Sequence, residues 1–286
     1  MKFKQTAWGI GLILGSASCL AQTAALAPVT IVSTTYGDVL ALGNGRLKSY
    51  VAKRTDGTLH AIGVEFHKST LVNLPDEHND GLNCWDSNGD NDIDLDAECS
   101  GGHNRTLKFP ANPTPFDHIS VDWEPHGHVP ADVYDIPHFD FHFYMISQIT
   151  RNLIGVGPCF GTINCGIYEK AIVPVAPNYI HPDFFNTKLA FSRMGNHWAD
   201  KTSPEFNGQP FTHTFILGSF NGSLTFQEPM VSLPYLLTKP SQCTAIKQPA
   251  QYQKAGLYPM KYCIRFNNLE DKYTVSLEDF RNRQAN

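Results

Sequence analysis

Twelve histidines are spread along this chain of 286 residues, yet His126, His128, His138 and His142 fall within 17 positions. They sit in the stretch DWEPHGHVPADVYDIPHFDFHFYM, among prolines, aromatics and the carboxylates Asp132, Asp135 and Asp140. Imidazoles and carboxylates so concentrated are the donors of a divalent-metal site or of an acid–base pair. In PHFDFHFYM the period is two, so His138, Asp140, His142 and Tyr144 point one way and Phe139, Phe141, Phe143 and Met145 the other. The aromatic face is core, and the polar face is free to present ligands. At about 3.3 Å per residue, His138 and His142 stand about 13 Å apart, too far to share one ion comfortably. A metal there takes one of them and draws its other ligands from elsewhere. His126 and His128, about 7 Å apart in extended backbone, have the spacing of a chelating pair.

More donors come from FTHTFILGSFNGSLTFQEPMV, two apolar-rich runs around Asn221-Gly222. With those two as the turn residues, His213 opposes Met230 and Phe215 opposes Glu228, which makes His213 and Glu228 diagonal neighbours on one face. Phe211, Phe215, Leu217, Phe226 and Met230 share that face and mark it as inward. A histidine and a glutamate placed there must pair, bind something or shift their pKa values. His197, in RMGNHWAD, is a further donor, and Asp140 is placed to orient a ligating imidazole. The candidate transition-metal ligands are therefore His126, His128, His138, His142, His197, His213 and Glu228, of which about four would serve. For His213 and His197, a hydrogen-bonded core histidine is an equally good reading.

A second acidic segment, CWDSNGDNDIDLDAEC, sets Asp86, Asp90, Asp92, Asp94, Asp96 and Glu98 between Cys84 and Cys99. Carboxylates so crowded repel one another unless a hard cation or solvent relieves them, and calcium takes six to eight oxygens. The EF-hand frame fails, since the sixth position from Asp86 is Asn91 and the twelfth is Ala97. What remains is the looser pattern of extracellular calcium loops, with Asp86, Asn88, Asp90, Asp92 and Asp94 as ligands of a structural calcium.

The elements that must position these groups read mainly as strands. RLKSYVAKRTDGTLHAIGVEF is a hairpin about Asp56-Gly57, and YCIRFNNLEDKYTVSL is another with a longer loop. Helix signals are short: HKSTLVNLP predicts one or two turns, and the tail LEDFRNRQAN another. No repeat appears, and the 19 prolines are scattered rather than gathered into a linker. The fold class is mainly β, a single β-rich domain over residues 28–286, barrel or sandwich, with long loops, few short helices and the insert 84–99.

Residues 1–21 read as a cleaved export signal: Lys2 and Lys4, an apolar run from Ala7 to Leu14, then small residues. That run is shorter than the roughly 18 to 20 residues needed to span a bilayer, and no later stretch reaches that length. The localisation predicted is periplasmic or secreted. Cleavage removes Cys19 and leaves six of seven cysteines, an even count that suits disulfides. Six cysteines allow 15 pairings. The spacings favour Cys84 with Cys99, Cys159 with Cys165, and Cys243 with Cys263. Losing Lys2 and Lys4 takes the formal charge from -5 to -7, and no Lys/Arg run exists to track a phosphate backbone, which excludes nucleic acid as a natural partner. A small molecule, a glycan or a second copy of the chain stays open.

Named motifs mostly fail. H-E-x-x-H, G-x-S-x-G, the P-loop and G-x-G-x-x-G are absent from the mature chain, and an H-x-H-x-D-H zinc-hydrolase pattern breaks at Pro130 and Ala131. Histidines and a glutamate on a β-rich chain resemble the cupin arrangement, although no glutamate follows His128 by four or five positions. A closer resemblance is to a family of exported bacterial proteins first examined structurally through a Thermus protein under an extracytoplasmic sigma factor. It is carried by ALGNGRLKSYV with AIGVEF, the long histidine segment, RMGNHWAD, FTHTFILGSFNGSLTFQEPM and GLYPMKYCIRF. That resemblance implies a β-rich domain with an inward polar cluster and brings no assigned activity. Two functional readings follow. One is a metal-binding β-protein, zinc favoured. The other is a non-enzymatic export-stress or surface-binding module whose histidines form a structural hydrogen-bond network.

Overall fold

Asn221 and Gly222 both adopt left-handed backbone angles, at φ 50° and 73°, as a two-residue hairpin turn requires. The computed structural model containing them describes residues 31–286 apart from Asp96, so the export segment 1–21 lies outside the described residues. The described strands are β1 (Ile31–Leu42), β2 (Gly45–Arg54), β3 (Leu59–His67), β4 (His103–Lys108), β5 (His118–Glu124), β6 (His138–Tyr144) and β7 (Phe184–Phe191). They continue with β8 (Gly195–Asp200), β9 (His213–Phe220), β10 (Ser223–Ser232), β11 (Ser241–Ala245), β12 (Gly256–Asn267) and β13 (Lys272–Arg283). Short helices α1 (Gln148–Asn152), α2 (Cys165–Ala171) and α3 (Leu233–Leu237) lie in the connections.

The strands form two antiparallel sheets, ordered β1-β2-β3-β13-β12-β11 and β4-β5-β6-β10-β9-β8-β7. Between them lies an apolar core. Val51, Ile62, Val64, Phe66 and Val275 come from the first sheet, and Ile119, Val121, Phe139, Phe141, Phe143 and Leu217 from the second. Phe66 stacks on Phe139 across the gap at 6.4 Å between ring centres. The architecture is a sandwich. Apolar side chains fill the space between the two sheets. The alternating pattern of β6 is realised as expected, with its phenylalanines in the core and His138, Asp140, His142 and Tyr144 on the opposite, loop-covered face.

All three hairpins form. HKSTLVNLP gives one 3-10 turn, Lys68–Leu71, with the His67 ring accepting the Ser69 amide. The tail is a correction: LEDFRNRQAN is not helical but continues β13 to Arg283, because Leu277 belongs to the core and the segment pairs with β12 as far as Gly256. Tertiary pairing overrides a weak local preference. The disulfides Cys84–Cys99, Cys159–Cys165 and Cys243–Cys263 pair as the spacing suggested, and the last joins directly opposed residues of β11 and β12. No helix among the described residues is long and apolar enough to cross a membrane.

Candidate metal centre

The polar face of the second sheet is assembled by register. Ser120, Asp122 and Glu124 of β5 stand opposite His142, Asp140 and His138 of β6. On β10, Phe226 opposes Tyr144 and Met230 opposes Asp140, so Glu228 falls beside His142. His197 of β8 opposes Gly218 of β9, which in turn opposes Phe226. Gly218 is needed there for space, since a Cβ would run into the Phe226 ring. That ring packs against both His142 and His197.

Two sets of donors result. In the first, one ligand atom each from His142, His197 and Glu228 lie within 4.8 Å of one another. The His197 Nδ1–H donates to the Leu189 carbonyl at 3.0 Å, leaving Nε2 as the lone-pair nitrogen. His142 Nδ1 is 2.9 Å from Asp122 Oδ2, and its Nε2 is 3.3 Å from Glu228 Oε1. Neither contact has hydrogen-bond geometry, and Glu228 Oε2 is also without a partner, so both ring nitrogens of His142, on opposite sides of the imidazole, and one Glu228 oxygen are buried and unsatisfied. Buried groups left so cost about 1–3 kcal/mol each. Asp122 is itself fixed by Asn104 Nδ2 and by the Ser120 hydroxyl, 3.2 Å from Oδ2. Buried Arg151 donates to Ser120 Oγ and Thr106 Oγ1 and lies over the Tyr144 ring. Burial, reinforced by Asp140, Asp122 and Glu124, raises the Glu228 carboxyl well above the usual range. Burial, with His142 adding to it, pushes His197 down to about 3. These groups can hold a divalent cation: two imidazole nitrogens and one carboxylate, with a carboxylate behind one imidazole in the manner of outer-shell support.

The second set, His128, His138 and Asp140, meets the same distance limit; His128 is hydrogen-bonded to Asp140, whereas His138 Nε2 and Asp140 Oδ1 lack hydrogen-bond partners. Half-buried His128 lies 2.8 Å from the Val129 carbonyl through Nδ1 and 3.2 Å from Asp140 Oδ2 through Nε2. Two acceptors for two nitrogens suit an imidazolium. Burial lowers its pKa, but Asp140 and Glu124 outweigh that and raise it to about 9. Burial likewise opposes ionisation of Asp140, yet His138 and His128 hold it well below the usual carboxylate range. The His138 Nδ1–H donates to the Ile136 carbonyl, and Nε2 is 3.2 Å from Asp140 Oδ1. Glu124 is raised by burial, with His128 opposing. A third cluster, Cys243, Cys263 and Glu278, offers no ligands, because its sulfurs are bonded to each other and Arg265 pairs with Glu278.

The sequence-based ligands therefore divide. His142, His197 and Glu228 meet, His128 and His138 bracket Asp140, and His126 and His213 go elsewhere. Gly127, at φ +71°, turns the chain between His126 and His128, so the extended backbone assumed for that pair does not occur. His126 instead is exposed, stacks on His78 and has Nε2 2.9 Å from the Asp76 carbonyl. His213 is lost to the site through one bulge. Phe220 opposes Ser223 as expected, but the register shifts between Leu224 and Phe226, so Glu228 opposes Ile216 and His213 opposes Val231. A one-residue slip moves a side chain to the other face. His213 accordingly hydrogen-bonds the Tyr262 hydroxyl at 2.7 Å on the inter-sheet side. Unassigned from sequence were Asp122, Glu124, Asn104 and Arg151. The signal for the first two lay in ISVDWE, whose alternation matches that of β6.

In the acidic insert, Asp86 accepts the Gly89 and Asn91 amides and Asp90 accepts that of Asp92. Buried Glu98 accepts the Ser87 amide and hydroxyl and the Asn88 and Asp94 amides. Asn88 Oδ1 accepts the Asp90 amide. Among the described residues, no three of these carboxylates gather within ligand distance of a common point; Asp96 lies outside the described residues.

Above the polar face is a cavity of about 630 Å³. Its floor is Glu124, His128, Asp140, His142, His197 and Glu228, and its walls include Phe185, Leu189, Phe191, Met194, Phe206 and Ile216. No protein-family model, curated protein or solved structure matches the chain.

Proposed function

We propose that this is an exported metal-binding protein that holds one divalent transition metal, with zinc favoured, between His142, His197 and Glu228. The observation that carries the reading is the convergence of His142 Nε2, His197 and Glu228 on one another without hydrogen bonds among them, beside a cavity. Two imidazoles and a carboxylate are a zinc donor set that leaves further positions for a ligand. Asp122 behind His142 and the Leu189 carbonyl behind His197 would orient the rings. The three disulfides suit export into an oxidising compartment. Calcium in the insert, through Asp86, Asn88, Asp90, Asp92 and Asp94, is a separate structural proposal.

The test is elemental analysis of protein made without a histidine tag and grown with zinc, manganese and iron. Close to one transition metal per chain is expected for wild type, with loss in His142→Ala and His197→Ala and retention in His126→Ala and His213→Ala. A wild-type protein free of transition metal would instead favour the structural-network reading. The hydrogen bonds of His128 to Asp140 and to the Val129 carbonyl fit a network for that part of the face.

A further inference from the structure

The cavity above the proposed centre is far larger than an ion and its water need. At about 630 Å³ it falls within the roughly 300–1,000 Å³ of small-molecule sites, whereas a water takes about 30 Å³. We infer that it binds an apolar molecule bearing one carboxylate, with the head on the floor at His142, His197 and Glu228 and the body against Phe185, Leu189, Phe191, Phe206 and Ile216. This rests on the metal reading and adds to it the class of ligand.

Three observations support the inference. First, polar and apolar lining are segregated. The floor donors come from β5, β6, β8, β10 and the His128 loop, while β7 contributes Phe185, Leu189 and Phe191, with Thr187 the one polar side chain among these odd-numbered residues. Second, most of this wall is not part of the inter-sheet core. Phe185, Leu189, Phe191 and Phe206 lie outside the buried inter-sheet cluster, and Phe185 is 39% exposed. Aromatic surface facing a cavity gains from an apolar occupant. Third, two carboxylates of this face are already matched, and burial raises another, Glu124 on the cavity floor, well above the usual carboxylate range. Asp140 sits between His128 and His138, and Asp122 is joined to Arg151 through Ser120. A divalent ion held by Glu228 alone among carboxylates retains one positive charge, which a monoanion balances. A cationic ligand would meet that charge unfavourably, and a neutral one would leave it unmatched.

The test uses the mature chain in zinc-loaded and metal-free forms, with zinc measured on every sample, titrated calorimetrically with octanoate, acetate and 1-octanol. Octanoate is expected to bind the zinc-loaded protein at least tenfold more tightly than either acetate, which lacks the body, or 1-octanol, which lacks the charge. Removing zinc is expected to cost octanoate at least tenfold. Phe185→Asp, at the exposed end of the wall, should weaken octanoate at least fivefold with zinc content unchanged. Equal binding of octanoate and acetate at one zinc per chain would overturn the apolar body while leaving the metal site standing. Equal binding of octanoate and 1-octanol would overturn the anionic head. Wild-type protein that takes up no zinc would overturn the metal reading and this inference together.

Discussion

Zinc binding should expel a proton from Glu228 at pH values below the pKa of that carboxyl, and Glu228→Gln should remove that part of the release. In the metal-free protein Glu228 is buried, and burial together with Asp140, Asp122 and Glu124 raises its carboxyl well above the usual range. His197, held down to about 3 by burial first and His142 second, carries no proton to give at pH 7. A ligating carboxylate must be ionised, so the cation has to displace the Glu228 proton. Below the Glu228 pKa the apparent affinity should therefore fall about tenfold, or about 1.4 kcal/mol, for each unit of pH decrease. Calorimetric titration in two buffers of different protonation enthalpy counts the protons directly. On the acid side of the Glu228 pKa, Glu228→Gln should release about one proton fewer than wild type, with weaker binding because a neutral amide replaces an anionic donor. If the glutamine variant releases as many protons as wild type across the acid range, Glu228 is not a ligand and the proposed donor set is wrong.

Asp122→Asn should leave the fold intact but weaken zinc about 10- to 100-fold, because the carboxylate 2.9 Å from His142 Nδ1 would no longer support that ring; chelator competition measures this, and unchanged affinity would count against the role. In the metal-free protein, His128 is raised to about 9 because Asp140 and Glu124 outweigh the effect of burial. Its stabilisation should be complete below pH 6.5 and lost as pH rises through 9, about 1–3 kcal/mol after discounting for the ring's partial exposure. Urea unfolding should show that decline in wild type and not in His128→Ala. Calcium at ten times its dissociation constant should stabilise the insert by about 1.4 kcal/mol, and an Asp86→Asn, Asp90→Asn double variant should lose the response. A flat melting-temperature titration would leave the loop closed by its own amide bonds and Cys84–Cys99 alone.

Much of the sandwich was legible because strand alternation and glycine turns are local. PHFDFHFYM declares its two faces without reference to any other strand, and cysteine spacing was enough for the three bridges. The site was only half legible, since which polar residues meet depends on register between strands far apart in sequence. The bulge on β10 is the clearest instance. The Thr225 carbonyl accepts the Met145 amide at 2.7 Å, and Phe226 settles over Gly218, which offsets β10 by one residue against β9. An ideal hairpin about Asn221-Gly222 would set Glu228 beside His213; the offset hairpin turns Glu228 toward His142 and His197 and leaves His213 with Tyr262. Bulges are over-represented next to functional sites because one extra residue re-aims every side chain beyond it. Any side chain at 218 would obstruct Phe226, so Gly218→Val should disturb His142 and His197 together, although it carries no donor of its own. Loss of zinc in Gly218→Val with the sandwich still folded would tie the centre to the bulge. Full zinc retention would mean that the register is fixed elsewhere on the sheet.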